Sequence, residues 1–130
     1  MKLEKSGIIL NVENFDQCVV FYKSILGLQT LFEKTEEDFK LSCLEFGGSY
    51  LMLETGGKAN GKGKSIEQSP AKLRINVMDL ELVQQDLAEK GIECEIEYYS
   101  WGSTINLYDP DGNRIGIRDQ TGFKNQIPNN

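Results

Sequence analysis

Gly7-Ile8-Ile9-Leu10-Asn11-Val12-Glu13-Asn14-Phe15 returns as Lys72-Leu73-Arg74-Ile75-Asn76-Val77-Met78-Asp79-Leu80, an offset from 7 to 72 of 65 residues that sets Asn11 on Asn76 and Val12 on Val77. Self-similarity at one offset means a single supersecondary unit used twice. Each copy alternates like a strand and then enters a stretch with apolar residues at three-to-four spacing, so each reads as strand into helix. The helices are expected over 16–26 and 81–90, closed by Gly27 and Gly91, because glycine is favoured just past a helix end. Alternating segments follow at 28–33, 41–46 and 50–54 in the first half and at 92–98, 104–108 and 114–118 in the second. Two turns close the final hairpins, Phe46-Gly47-Gly48-Ser49 and Asp109-Pro110-Asp111-Gly112, the latter suited to a type I turn followed by a left-handed residue.

That pattern is βαβββ twice. The expected class is α+β, two βαβββ modules forming a curved, cup-shaped mixed β-sheet with helices on the outer face. Module one covers about 5–55, a linker about 56–70, module two about 71–120 and a polar tail 121–130, all within one domain of 130 residues. The Gly/Lys run at 56–65 is too polar to pack and reads as a linker or mobile flap; no Gly-Lys-Ser/Thr opens a helix there, which removes a phosphate-loop reading.

Composition narrows the function classes. No apolar run approaches the ~20 residues of a membrane span, and Glu4, Asn11 and Glu13 interrupt any signal-like start, so a cytoplasmic protein is expected. A net charge of −6 opposes nucleic acid, which needs clustered Lys and Arg. It serves solubility, or favours a cationic or polar ligand. Cys18, Cys43 and Cys94 include no Cys-x-x-Cys pair and read as reduced, mostly buried thiols.

Side chains alternate along a strand, so parity sorts each strand into two faces. Ile8, Leu10, Val12, Leu51, Leu53, Leu73, Ile75, Val77, Ile115 and Ile117 make an apolar face for the helices to cover. The opposite face is polar, and is either solvated or the lining of a cup. Candidate ligand contacts on it and at its rim are Tyr50, Met52, Glu54, Arg74, Tyr98, Trp101, Asn106, Tyr108 and Arg114. Trp101 is a candidate both for ligand contact and for core filling.

With duplicated βαβββ units, Phe21-Tyr22-Lys23-Ser24-Ile25-Leu26-Gly27-Leu28 and Trp101-Gly102 before Asp109-Pro110-Asp111-Gly112-Asn113, the chain resembles the glyoxalase I, bleomycin-resistance and extradiol-dioxygenase (vicinal oxygen chelate) superfamily over about residues 5–120. These are scaffold signatures, and they do not choose a reaction. Enzymes of the family hold a divalent metal with His, Gln or Glu at four positions, on the first and last strands of each unit. By the resemblance those positions are Gly7, Met52, Lys72 and Gly116, none an ordinary ligand, in a chain without histidine. The expectation is therefore no metal, no cofactor and no catalytic residue. An oxygen-only site drawing on Glu54 with Glu93, Glu95 or Glu97 competes with salt bridges to the lysines and arginines of the same face.

The resemblance implies a metal-free small-molecule binder like the family's drug-sequestering, antibiotic-resistance members, a homodimer whose cups are completed by both subunits. Two alternatives stand beside it: a glyoxalase- or dioxygenase-like enzyme with a non-standard site, with Glu54 as general base, and a protein-interaction or regulatory module. The expected partner is a small molecule, cationic or polar, with no nucleic acid and no membrane.

Overall fold

The computed structural model describes residues 1–128. It contains two four-stranded mixed sheets and three helices, and the chain divides into two compact units, 1–62 with 110–112, and 63–109 with 113–130.

In the first unit β1 (Gly7–Val12) leads into α1 (Phe15–Val20), which runs on as one π-helical segment, Phe21–Ile25; β2 (Thr30–Glu36), β3 (Phe39–Phe46) and β4 (Ser49–Thr55) follow. The sheet order is β1-β4-β3-β2, with only the β1–β4 pair parallel. The widened helical end lets Leu26 N donate to Phe21 O at 3.0 Å and Leu28 N to Tyr22 O at 3.0 Å, and Gly27 at φ +78° turns the chain out. It also buries Phe21 and Tyr22, whose rings meet edge to face with centroids 5.2 Å apart. Leu51, Leu53, Leu44 and Val12 are completely buried, the first two on β4, the strand that this helix packs against.

The start of α1 has an external cap. Asn14 makes no side-chain cap bond. Instead Asp111, itself fully buried, accepts from Glu13 N at 2.7 Å, Asn14 N at 2.9 Å and Asn14 Nδ2 at 3.0 Å. A carboxylate there meets the unpaired amides and the positive pole of the helix together.

The second unit repeats the order with β5 (Leu73–Val77), α2 (Leu80–Glu89), β6 (Glu97–Tyr99), β7 (Gly102–Tyr108) and β8 (Arg114–Asp119), in sheet order β5-β8-β7-β6 with β5–β8 parallel. Its core is Leu73, Leu80, Leu87, Ile105, Ile115 and Ile117. Asp79 caps α2, accepting from Leu82 N at 3.0 Å.

Two expectations need correction, and the tail adds a helix. The segment 92–98 alternates, but only Glu97–Tyr99 is strand. Upstream of it, Gln84 of α2 donates to Cys94 O at 2.8 Å, so that carbonyl is taken by the helix. The polar tail begins as a helix that buries none of its residues: Gln120–Gln126 forms α3, capped by Asp119, which accepts from Gly122 N at 2.6 Å. The Gly/Lys run does pack. Ala59 N donates to Glu13 Oε1 at 2.9 Å and Asn60 N to Asp111 O at 3.0 Å, and Gly57 lies so close to the Asn11 carbonyl that no side chain fits between them. Backbone contacts through glycine leave little trace in composition.

Of the expected apolar face, Ile8 is 41% exposed, so helical cover stops short of the start of β1. Cys18 and Cys43 are buried and Cys94 is half-buried. Burial pushes the Cys43 and Cys94 thiols up, with Glu93 and Glu95 adding to the effect at Cys94. No helix among the described residues is long and apolar enough to cross a membrane.

Candidate functional site

The β5–β8–β7 register fixes which side chains share the second unit's polar face. Arg74 pairs with Gly116 and Asn76 with Arg118 across the parallel pair; Thr104 pairs with Arg118, Asn106 with Gly116 and Tyr108 with Arg114 across the antiparallel one. Gly116 is thus the centre of a grid whose edges are Arg74, Asn106, Arg114 and Arg118, with Lys72 just before β5. A side chain at Gly116 would stand 2.9 Å from Arg74 Nη1 and 3.0 Å from Lys72 Cε, because both cations lean over it.

Lys72 Nζ donates to Asn106 Oδ1 at 2.8 Å, Asn106 Nδ2 to Glu97 Oε2 at 2.6 Å, and Tyr99 OH to Glu97 Oε1 at 3.2 Å. Arg74 Nη1 donates to Thr104 Oγ1 at 3.3 Å. Burial lowers the Lys72 pKa first, and Arg74 and Arg114 lower it further against the pull of Glu97. Burial and then Arg118 act in the same direction on Arg74. The bond to Glu97 raises the Tyr99 phenol.

Arg118 is nearly buried at 6% exposure. Its guanidinium lies 4.8 Å from the Trp101 ring centroid and 5.4 Å from that of Phe123, and donates to Trp101 O at 3.0 Å and Gln126 Oε1 at 2.8 Å. Trp101 in turn stacks on Tyr99 at 5.0 Å and 6°. Trp101 is therefore engaged by protein groups: Tyr99, Arg118 and, at 5.9 Å, Arg74. Gln120 of α3 accepts from Asn76 Nδ2 at 2.9 Å, so the helix is held to this same face.

The nine candidate residues separate. Arg74, Asn106, Tyr108 and Arg114 share the grid, with Trp101 beside it. Tyr98 pairs with Ser103, whose parity is that of the buried Ile105, and it lines a shallow cleft of about 180 Å³ with Met78, Asp79, Ile96 and Asp119. Tyr99, one residue on, takes the polar face that Tyr98 does not. Tyr50, Met52 and Glu54 lie on one face of β4 in the first unit, opposite Glu45, Cys43 and Leu41. There the Tyr50 ring lies across Gly7, in the space a side chain at that position would occupy. A wider cleft in the same unit, about 450 Å³, is formed around Glu13, Asp16, Gln17 and Lys40 and uses none of the candidates. Sequence reading left Arg118, Thr104 and Tyr99 out of the site; parity already marked the first two, and only the β6 register marks the third.

Salt bridges do not absorb these charges. The ion pairs among the described residues are on the surface, such as Lys40–Asp16 and Lys34–Glu36, and none includes Glu54, Lys72, Arg74 or Arg114. A metal does not fit either. Gly7 lies under a tyrosine ring and Gly116 under two cations, while Met52 is a thioether and Lys72 an ammonium. Among the described residues no three His, Cys, Asp or Glu side chains come together.

Comparison with known proteins bears on the scaffold. The uncharacterized protein YraH of Bacillus subtilis (strain 168) is 29% identical over 126 residues, covering 90% of this chain and 97% of that one. Among solved structures, the trypanothione-dependent glyoxalase I of Leishmania major matches with a TM-score of 0.74 at 18% identity, covering 96% of this chain and 92% of that chain. The fosfomycin resistance protein FosX of Listeria monocytogenes, solved with Mn(II) and 1S,2S-dihydroxypropylphosphonic acid, matches with a TM-score of 0.74 at 14% identity, covering 98% and 100%. At such identities the fold alone is shared. The Glyoxalase/Bleomycin resistance protein/Dioxygenase superfamily model matches residues 6–117, which include both βαβββ units from β1 into β8. On that match, and on the doubled unit it spans, the chain belongs to the Glyoxalase/Bleomycin resistance protein/Dioxygenase superfamily.

Proposed function

We propose that the chain is a metal-free small-molecule binding protein, a sequestering rather than a catalytic member of its superfamily. One observation carries the reading: the polar face around Gly116 presents cationic and amide donors in place of metal ligands, and no histidine exists to serve as a base. Glu97, the carboxylate on that face, is held by Asn106 and Tyr99. Donors that orient a ligand without a nucleophile or base suit binding.

In the same reading the protein is a cytoplasmic homodimer. Its pairing is supported by exposed apolar residues on the edge strands of the first sheet, Ile9 at 57% on β1 and Phe32 at 50% on β2. Light scattering on the purified chain tests the dimer.

The test of binding is ligand-dependent melting of chelator-treated protein against a panel of anionic, neutral and cationic small molecules. A true ligand at about 100 times its Kd adds about 2.7 kcal/mol of stability, a rise of several degrees. The reading predicts such a rise without metal and no change when Zn(II), Mn(II), Ni(II) or Fe(II) is restored. Stabilisation that appears only with metal, or turnover that requires it, overturns the proposal.

A further inference from the structure

A chain of net charge −6 carries, on the strand residues of one sheet face, Arg74, Arg114 and Arg118, with Lys72 just before β5, against the single carboxylate Glu97. The overall acidity, which favours cationic ligands, does not describe this face. Arg118 is committed to Trp101, Gln126 and α3. The other three keep unused donors. Lys72 uses one of its three N–H donors, on Asn106. Arg74 uses one of five, in a 3.3 Å bond. Arg114 donates from Nη2 to Ser69 O and Ala71 O, but its Nε is buried with no hydrogen-bond partner among the described residues. A buried cationic donor left unmet is costly, and native proteins rarely keep one without use.

From these observations we infer that Lys72, Arg74 and Arg114, with Asn106, form a binding site over Gly116 for the oxyanion of a small organic acid, a carboxylate or a phosphate. The inference rests on the reading of the chain as a metal-free binder and names its ligand class. Gly116 lets Lys72 and Arg74 converge, since any side chain there would occupy the space into which they lean. The mutual repulsion that disfavours the Lys72 ammonium is relieved by an anion between the cations. The exposed Tyr108 ring, on the residue paired with Arg114, flanks the site and gives the acid's organic part apolar surface to rest on. A polyanion is disfavoured because the patch is local and the chain as a whole is acidic.

The experiment is calorimetric titration of the full chain with benzoate, phenyl phosphate and the neutral benzamide. One acid per chain is expected to bind, benzamide not, with weaker binding at about 0.5 M than at about 0.05 M salt. The better of the two acids tells carboxylate from phosphate. Lys72→Gln and Arg74→Gln should each weaken binding by at least about tenfold, Arg74→Lys should restore part of the loss, and Lys40→Gln, a first-unit residue whose ammonium meets Asp16 and the Phe15 ring, should change nothing. Lys72 and Arg74 are exposed, and wild-type melting of their variants confirms the fold. Acids that bind no better than benzamide, or glutamine variants that bind like wild type, overturn the inference. If neutral or cationic members of the wider panel bind while the acids do not, the anion site falls and the binder reading stands; if no small molecule binds, both fall.

Discussion

Replacing Asp111 by alanine removes the acceptor of three hydrogen bonds at the start of α1, two of them from the backbone amides of Glu13 and Asn14 at 2.7 and 2.9 Å. The carboxylate is completely buried, and Asn14 offers no side-chain cap of its own. Leaving a buried donor unmet costs about 1–3 kcal/mol. Both amides are only partly buried and water relieves some of that cost, so the loss comes to about 2–4 kcal/mol. For a chain of this length the unfolding entropy near the midpoint makes 1 kcal/mol worth roughly 4 °C, which puts the fall in Tm at about 8–16 °C. Asp111→Asn keeps one carbonyl acceptor and should fall between the two. Urea denaturation followed by far-UV circular dichroism gives the free energies, and scanning calorimetry the midpoints. A loss below about 1 kcal/mol for the alanine variant, or an asparagine variant no better than alanine, would refute the claim that this carboxylate caps the helix.

Asp119 provides a pH-dependent test: Ser103 N at 2.7 Å and then Gly122 N at 2.6 Å hold its carboxyl below the usual value, against some desolvation. A depressed carboxyl contributes stability that is complete above its unfolded pKa, near 4, and lost as pH falls through the lower folded value. Asp119→Asn should therefore flatten the acid limb of a Tm-against-pH curve and lower Tm at neutral pH by an amount matching about 1 kcal/mol. Leu51→Ala, at a site with no exposure, should cost about 2–5 kcal/mol in urea denaturation. Arg118→Ala should speed amide exchange in α3 far more than in α2, since it removes the contacts to Phe123 and Gln126. Gly7→Val sets a side chain against the Tyr50 ring and should destabilise by about 1–3 kcal/mol, a loss that Tyr50→Ala partly reverses.

The fold was legible where local period and long-range packing agree. The repeat at 7–15 and 72–80, both main helices and the Phe46–Ser49 turn all express a pattern that the chain satisfies within each unit. The misses have one cause in common. Residues 92–96 alternate like a strand, but alternation does not supply a neighbour, and the carbonyl of Cys94 is claimed by Gln84. The tail forms α3 because Asp119 caps it and Arg118 meets Phe123, contacts invisible to a polarity count. At the candidate site, parity put Arg74, Asn106 and Arg114 on one face correctly. It could not tell Tyr98 from Tyr99, since the pairing of Glu97 with Thr104 decides between them. Nor did a net charge of −6 disclose that one face of the second sheet is locally basic. A sum over the chain carries no positions.

The boundary between the two compact units crosses the chain at 62–63, 109–110 and 112–113, because the tip of the β7–β8 turn belongs with residues 1–62. A gene cut midway through the duplication would separate α1 from the aspartate that starts it. The first fragment would keep every strand of its sheet and still begin its helix on bare amides. An ancestral half-length protein would have needed another carboxylate there, or two copies lending each other that loop. The three-residue excursion thus makes the first half's helix depend on a carboxylate that the second half encodes.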